Sequence, residues 1–182
     1  MKRVEIIYGG ASNEKEISYL TAKSIYEHID TDLYNSGLTD LSKFDPDNFD
    51  NETIFFIAVH GEGGEDGKIQ TLLENKKRKF TGSSSESCIL TWDKVATKRA
   101  LIANNILTPQ FKSIKNNEHF DFNDSFFAEN EHYFVKPNFN GSSYGISKVS
   151  DKKFNEALKE AKNYSTEAVS YTHLRAHETQ RN

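Results

Sequence analysis

Three residues of this 182-residue chain stand out because glycine-rich turns could present their side chains to a small molecule. Glu14 ends a turn that begins with two glycines, His60 opens a turn with four glycines, and Lys136 precedes a loop of glycine and serine. A ligand can approach the main chain closely at glycine, which has no side chain. The three turns are therefore the first candidates for binding or chemistry.

The carboxylate of Glu14 allows two interpretations. The turn 9–14 follows a short β-branched run and precedes a helical pattern. Glu14 would then lie at a helix start, where it could simply balance the positive end of the helix dipole. It could equally hold the ammonium group of a substrate, because a positioned carboxylate is the natural partner of an amine.

His60 follows the apolar run 53–59, whose near-continuous hydrophobicity predicts a strand covered on both faces. In open parallel sheets small ligands bind beyond the carboxyl ends of the strands, so we interpret His60 as a site residue. Glu65 and Asp66, later in the same turn, are interpreted as the N-terminal cap of the next helix, where acidic groups are favourable.

The loop 140–145 after Lys136 has the composition of a phosphate-covering loop. Glycine and serine offer backbone N–H groups to phosphate oxygens, and a nearby lysine supplies positive charge. It is not a Walker A loop, because no Gly-Lys-Ser/Thr sequence ends it. A hairpin turn without a ligand is the alternative interpretation.

Strand–turn–helix patterns predict how the first two turns are positioned. Residues 4–8 predict a strand, and Asn13 could cap the following helix in a capping box with Glu16. The run 53–59 and the helical spacing from Ile69 repeat the pattern. The sequence therefore predicts an α/β fold with a parallel sheet and functional loops at one edge.

A helix and a hairpin are predicted in the second half of the chain. Asp93 can cap a helix. Residues 132–137 and 146–149 predict two strands around the 140–145 loop, and helical spacing from Asp151 predicts a helix after them.

Composition excludes several classes of protein. Hydrophobic residues make up 36% and charged residues 27%, which suits a globular chain. The net charge of −4 argues against a nucleic-acid partner, and no run approaches the roughly 18 apolar residues of a membrane span. The single cysteine, Cys88, cannot form an internal disulfide. With no apolar core for a signal peptide, we expect a cytoplasmic protein.

Five segments resemble D-alanine–D-alanine ligases of the ATP-grasp superfamily in order, spacing and residue identity. The matching segments are 8–18, 59–67, 80–83, 93–98 and 135–149. The resemblance implies a Rossmann-like, pre-ATP-grasp domain with a parallel sheet at 1–87. It also implies part of an α+β ATP-grasp domain at 88–167.

Membership of this family implies a ligase of peptidoglycan synthesis. ATP would phosphorylate the carboxylate of one D-alanine, and the amine of a second would attack that acyl phosphate and release phosphate. The implied partners are D-alanine and ATP, not nucleic acid or membrane, and the parent enzyme could be a homodimer.

The resemblance also implies residue roles. Glu14, a catalytic residue in this family, would hold the ammonium of the first D-alanine, with His60 beside that amino acid. Lys94 and Lys136 would contact ATP phosphates. The loop would close over those phosphates and place the substrates, through Gly141, Ser142, Ser143 and Gly145, with Ser142 also catalytic. Asn140 and Tyr144 depart from the family, which commonly has glutamate and a small aliphatic residue at these positions.

The family also uses Mg²⁺, held by an acidic cluster for which this chain has no candidate after residue 149. The resemblance thus implies that the metal ligands belong to a longer parent enzyme. We expect the 182-residue chain alone to have no ligase activity.

The segment 168–182 departs from the family and contains no lysine, although lysine is frequent before it. It resembles translated adaptor sequence, and we expect a non-native tail outside the fold. A native amphipathic tail is the alternative.

Three other functions stay open for the whole chain. The first is a ligase that joins D-alanine to D-lactate or D-serine, and the second is a non-catalytic module that binds a nucleotide or an amino acid. The third is a product that folds poorly because a face built to be buried is exposed.

Overall fold

The computed structural model describes residues 1–115, 132–141 and 144–171. The chain divides into two compact units, Met1–Thr91 and Trp92–Asn182. The domain boundary expected at residue 87 falls inside a helix, Ser85–Trp92, and the division comes at the end of that helix.

The first unit is built on a four-stranded parallel sheet in the order β2-β1-β3-β4. In chain order the elements are β1 (Lys2–Tyr8), α1 (Lys15–His28), β2 (Tyr34–Asp40), β3 (Ile54–Ile57), α2 (Lys68–Asn75), β4 (Lys79–Phe80) and α3 (Ser85–Trp92). Helices α1, α2 and α3 follow β1, β3 and β4, and the first two of these pairs are the strand–turn–helix units that the sequence predicted. Two short 3₁₀ turns, Leu41–Lys43 and Pro46–Asn48, join β2 to β3.

The central strands β1 and β3 carry the buried residues of this sheet, which is why they read as apolar runs, whereas the edge strands β2 and β4 are only partly covered. Ile6 and Ile7 of β1 are fully buried and belong to two different hydrophobic clusters, one on each face. Phe55 of β3 and Leu73 of α2 are fully buried with Ile7. Burial of this kind stabilises by roughly 25 cal/mol per Å² of apolar surface and fixes where the strands end.

One serine ties helix α1 to the ends of two strands. The hydroxyl of Ser18 accepts a hydrogen bond from the Gly9 N–H at 2.8 Å and donates one to the Ala58 carbonyl at 2.8 Å. Because Gly9 follows β1 and Ala58 follows β3, this fully buried contact brings the two candidate turns to one edge of the sheet.

The predicted capping box of α1 is wrong. The helix begins at Lys15, and the residue before it, Glu14, makes no side-chain capping bond. The N–H of Glu14 donates to the Ser12 hydroxyl at 3.2 Å. The turn is thus closed by Ser12 rather than by Asn13 and Glu16.

The second unit contains a four-stranded antiparallel sheet in the order β5-β8-β6-β7. The predicted hairpin is the pair β6 and β7, and the predicted helices before and after it are present. The elements are α4 (Lys94–Ala103), β5 (Phe111–Lys115), β6 (Tyr133–Pro137), β7 (Ser147–Val149), α5 (Asp151–Lys162) and β8 (Glu167–Tyr171).

Helix α5 covers one face of this sheet. Its buried side chains Phe154, Ala157 and Ala161 recur at helical spacing and pack in one cluster with Tyr133 and Val135 of β6. The rings of Tyr133 and Phe154 meet edge to face, with centroids 5.7 Å apart. This contact holds the hairpin, and therefore Lys136, in place.

Strand β8 corrects the expectation that the fold ends before residue 168. It pairs with β5 on one side and β6 on the other, and Ala168, Val169 and Ser170 are fully buried. The shift in composition after residue 167 carried no information on burial, whereas three consecutive buried residues in β8 are typical of a central strand covered on both faces. The rest of the segment expected to be a tail, 172–182, lies outside the described residues.

The predicted fold class is confirmed: a parallel α/β unit is followed by an antiparallel α+β unit. Within the described ranges, no helix is both long and apolar enough to cross a membrane.

Candidate functional site

Glu14 lies in a buried position at the edge of the parallel sheet, with 8% of its surface exposed. One of its carboxylate oxygens, Oε2, lies so close to Gly61 that a Cβ added there would be 2.8 Å away. Gly61 also has a φ of +72°, which disfavours other residues. The glycine after the histidine therefore makes room for the carboxylate, and the turns 9–14 and 60–67 pack as one structure.

His60 is held from two sides. Its Nε2 lies 3.0 Å from the Thr21 hydroxyl of α1, and its Nδ1 lies 3.8 Å from Oε1 of Glu65. The main-chain carbonyl of His60 accepts a hydrogen bond from the Ser12 hydroxyl at 2.9 Å. About a third of the side chain stays exposed, so the ring is oriented but can still be reached. We call Ser12, Glu14, Thr21, His60 and Gly61 the carboxylate–histidine site.

The rest of the turn 60–67 is shaped by its glycines. A Cβ at Gly64 would lie 2.2 Å from the Val59 carbonyl oxygen, so any side chain there would displace main chain. The N-cap of α2 is Gly67 rather than the predicted Asp66, which lies one residue earlier and accepts a hydrogen bond from the Lys68 N–H at 3.1 Å. Glu65, for which the same role was predicted, faces His60 instead.

Two contacts of His60 were missed from the sequence. Thr21 comes seven residues after Glu14, which places both on one side of α1 two helical turns apart. That spacing was the available signal. Glu65 had none, because its direction depends on the path of a glycine turn.

In the second unit, Lys94 begins helix α4 and points its ammonium at two carbonyl groups. Its Nζ donates to the Asn140 carbonyl at 2.7 Å and to the Asn138 carbonyl at 3.2 Å. Asp93 caps the helix as predicted, with Oδ1 accepting from the Ala96 N–H at 2.9 Å. Burial, and then the positive charge of Lys136, lower the pKa of Lys94 to about 8, against the raising effect of Asp93.

The low pKa of Lys94 defines the electrostatics of this place. The positive charges of Lys94 and Lys136 repel each other, and the side chain of Lys94 is largely buried. A bound anion would offset both the repulsion between the two lysines and the burial of the Lys94 charge, because it attracts both ammonium groups and replaces the lost hydration. We call Lys94, Lys136, Asn138 and Asn140 the lysine site.

Asn138 joins the lysine site although nothing in the sequence analysis singled it out. It is fully buried, and its side-chain Oδ1 accepts a hydrogen bond from the Val95 N–H at 2.9 Å. The signal was faint: an asparagine directly after the end of a strand, where a polar side chain needs partners if it is buried.

The two glycines of the predicted phosphate loop, Gly141 and Gly145, differ in their contacts. The Gly141 N–H donates to the Asn140 side chain at 2.9 Å. Gly145 has a φ of +70°, and a Cβ there would lie 2.7 Å from the Tyr164 ring and 2.9 Å from Pro137. Gly145 is thus required by close packing. Ser142 and Ser143, assigned to catalysis and binding, lie outside the described residues.

Magnesium, which the resemblance implies, has no site in the described part of the chain. Across residues 1–115, 132–141 and 144–171, no group of three His, Cys, Asp or Glu side chains could hold a metal ion. The positive lysine site, by contrast, fits the phosphates of ATP.

Comparison with known proteins gives a consistent result. No family model matches the chain. A D-alanine–D-alanine ligase of Marinomonas sp. (strain MWYL1) is 35% identical over 179 residues, covering 91% of this chain and 54% of that protein. The crystal structure of D-alanine–D-alanine ligase from Bacillus anthracis matches with a TM-score of 0.87 at 28% identity, over 96% of this chain and 58% of that one. Its complex with ATP matches with a TM-score of 0.84 at 26% identity, over 96% and 60%.

The matches extend over nearly the whole chain but only part of the other proteins. The chain spans about half the length of the curated relatives it matches. The resemblance drawn from the five sequence segments is confirmed.

Proposed function

Since the chain belongs to the D-alanine–D-alanine ligase family, we propose that it serves the ATP-dependent joining of two D-alanines through an acyl phosphate. The dipeptide would supply peptidoglycan synthesis in the cytoplasm, and Mg²⁺ would be the metal cofactor, as the family resemblance implies. The observation that carries the proposal is the lysine site, where the Lys94 ammonium is held by the Asn138 and Asn140 carbonyls and feels the charge of Lys136, which with burial lowers the pKa of Lys94. A relative of similar fold has been solved with ATP.

The role proposed for the lysine site is to bind phosphate. ATP, when bound, would supply the phosphoryl group that activates the D-alanine carboxylate. Lys94 and Lys136 would balance the charge of the phosphate oxygens, which is the main protein contribution to phosphoryl transfer. Gly141, Ser142, Ser143 and Gly145 would cover the phosphates, as the family resemblance implies.

The role proposed for the carboxylate–histidine site is to hold the first D-alanine. Glu14 would pair with its ammonium group, and His60 would lie beside it. The bonds of Ser12 fix the main chain of the turn that carries Glu14, and the close approach of its carboxylate to Gly61 places that group before any ligand arrives. Such preorganisation lowers the entropy that binding and reaction must overcome.

The phosphate role is tested by titrating the 182-residue chain with AMP-PNP in a calorimeter. Lys136→Met should weaken binding about tenfold, because a charge-assisted hydrogen bond is lost. Lys153→Met is the matched control, since Lys153 is an exposed lysine of the same unit. Equal affinities for the two variants would contradict the assignment.

The amino-acid role is tested separately with D-alanine, by following chemical shifts during titration. Glu14→Gln should weaken D-alanine binding about tenfold, because the carboxylate charge is removed while its shape is kept. Glu16→Gln, at an exposed glutamate two residues away, should leave it unchanged. A loss of the same size in both variants would argue against Glu14 as the ammonium partner.

A further inference from the structure

The buried amide of Asn138 connects three separate elements of the second unit. Its Nδ2 donates to Oδ1 of Asp93 at 3.0 Å and to Oε2 of Glu167 at 3.1 Å. Its Oδ1 accepts from the Val95 N–H at 2.9 Å, and its own N–H donates to the Glu167 carbonyl at 2.8 Å. Both side-chain donors and the acceptor are therefore used, without any exposure to water.

These bonds determine where helix α4 begins relative to strand β8. Asp93 and Val95 flank Lys94, and Glu167 is the first residue of β8. The Glu167 carboxylate is itself fixed, because its other oxygen accepts a hydrogen bond from Ser113 of β5. A buried polar network of this kind is favourable only when every member is satisfied, so it specifies one geometry.

We propose that Asn138 is a positioning residue: its amide clamps the start of α4 to β8 and so holds the Lys94 ammonium against the Asn138 and Asn140 carbonyls, aimed at a phosphate. The phosphate rests on the proposed function, whereas the clamp on Lys94 does not. A lysine ammonium carries three hydrogens. Two go to these carbonyls, and the third meets no acceptor within the described ranges, so it is available to a phosphate oxygen.

The charges near this ammonium explain why it needs a clamp. Lys136 repels it and Asp93 attracts it, while burial removes the water that would otherwise solvate it. A flexible lysine side chain would turn toward solvent under these conditions. The two carbonyls, fixed through Asn138, hold it in place.

The test is the pKa of Lys94 measured by NMR on ¹³C-labelled lysine in the 182-residue chain and in Asn138→Ala. Loss of the amide should loosen the start of α4 and admit water. The pKa of Lys94 should then rise from about 8 toward its ordinary value of 10.5. An unchanged pKa in a folded Asn138→Ala chain would overturn the proposal.

Two controls separate positioning from simple loss of stability. Asn104→Ala removes an asparagine bond at the other end of α4, where Nδ2 donates to the Ala100 carbonyl. Ile114→Val weakens the core of the same unit without touching α4. Neither should move the pKa of Lys94, and a rise in either of them equal to that in Asn138→Ala would overturn the proposal.

The variant Asn138→Ser decides the matter if Asn138→Ala does not fold. Serine keeps one donor and acceptor at the position, so the pKa of Lys94 should rise by less than in the alanine variant. A folded serine variant with an unchanged pKa would overturn the clamp.

AMP-PNP titration then distinguishes this inference from the proposed function. Asn138→Ala should weaken AMP-PNP binding about tenfold if the clamp aims Lys94 at a phosphate. A raised pKa of Lys94 with no AMP-PNP binding even in the wild-type chain would support the clamp and count against the phosphate role. If Asn138→Ala raises the pKa of Lys94 but leaves the AMP-PNP affinity unchanged, the clamp stands and the claim that it aims Lys94 at a phosphate is overturned.

Discussion

The two candidate sites of this chain are built in opposite ways. The carboxylate–histidine site is assembled from two glycine turns that follow neighbouring parallel strands, and glycines shape it because side chains would collide with the main chain or with Glu14. The lysine site depends on Asn138 and Glu167, which are far apart in sequence and joined by hydrogen bonds. Each turn of the first site takes its shape from its own glycines, whereas the second site takes its shape from hydrogen bonds between buried side chains. Both sites need contacts between distant parts of the chain.

This difference predicts that larger side chains at the glycines destabilise the first site, and that smaller side chains at buried positions destabilise the second. A turn packed against its own main chain has no space to yield. A network of buried hydrogen bonds fills its space with partners, and each lost partner leaves another group unsatisfied.

The largest effect is expected for Gly64→Ala. A Cβ would lie 2.2 Å from the Val59 carbonyl oxygen, so the turn must move, at a cost of about 3 kcal/mol in the free energy of unfolding. Gly82→Ala is the control: a φ of +114° adds backbone strain, but nothing lies within 4 Å of its Cβ. Urea denaturation should show the larger loss for Gly64→Ala, and equal losses would mean that close contact does not determine the turn.

A smaller loss of stability is expected for Val169→Ala, which shortens a buried side chain in the sheet that carries the second site. Val169 is fully buried in β8, and its replacement should cost about 2 kcal/mol by leaving a cavity. The measurement is again urea denaturation. A loss indistinguishable from zero would show that the 168–171 segment lies outside the fold, as the composition had suggested.

The pH dependence of stability should identify Lys94. Its pKa is lowered to about 8 in the folded chain, so the unfolded chain binds more protons between pH 8 and 10.5. The charged lysine destabilises the fold below that range, and this penalty disappears as the pH rises through it. Relative to Lys94→Met, the wild-type chain should therefore gain stability from pH 8 to pH 10. A constant difference between the two would contradict the lowered pKa.

The smallest effect is expected for Thr21→Val. The His60 ring would lose the hydroxyl that lies 3.0 Å from its Nε2, which should lower the free energy of unfolding by about 1 kcal/mol. The ¹⁵N shift of His60 Nε2 should change. Thr91→Val, which removes a hydroxyl bonded within helix α3, should leave that shift unchanged. An unaltered shift in Thr21→Val would mean that α1 does not orient the histidine.

The same contrast explains what the sequence could predict. The strand–turn–helix pattern located β1, β3 and the turns holding Glu14 and His60, because those signals are local. The motif resemblance located Lys94 and Lys136. Neither could identify Asn138, whose role arises from contacts with Asp93, Val95 and Glu167 made in the folded chain.

Strand β8 shows the other limit of sequence reasoning. Its composition differs from that of the preceding chain, but a central strand requires only side chains that can be buried and a hydrogen-bonded partner strand on both sides. Ala168 and Val169 meet those requirements between β5 and β6. The capping box predicted at Asn13 was wrong for a related reason, because Ser12 bonds to Glu14 and to the His60 carbonyl, and the second of these contacts forms only in the folded unit.

The most direct test of the phosphate role is the pKa of Lys94 measured by NMR with and without AMP-PNP. A phosphate beside the ammonium favours its charged form, so the pKa should rise from about 8 when the nucleotide is added. The ¹³Cε chemical shift of exposed Lys153 should not change when the nucleotide is added. A pKa of Lys94 that is unchanged at saturating AMP-PNP would contradict the account of the lysine site as a phosphate-binding site.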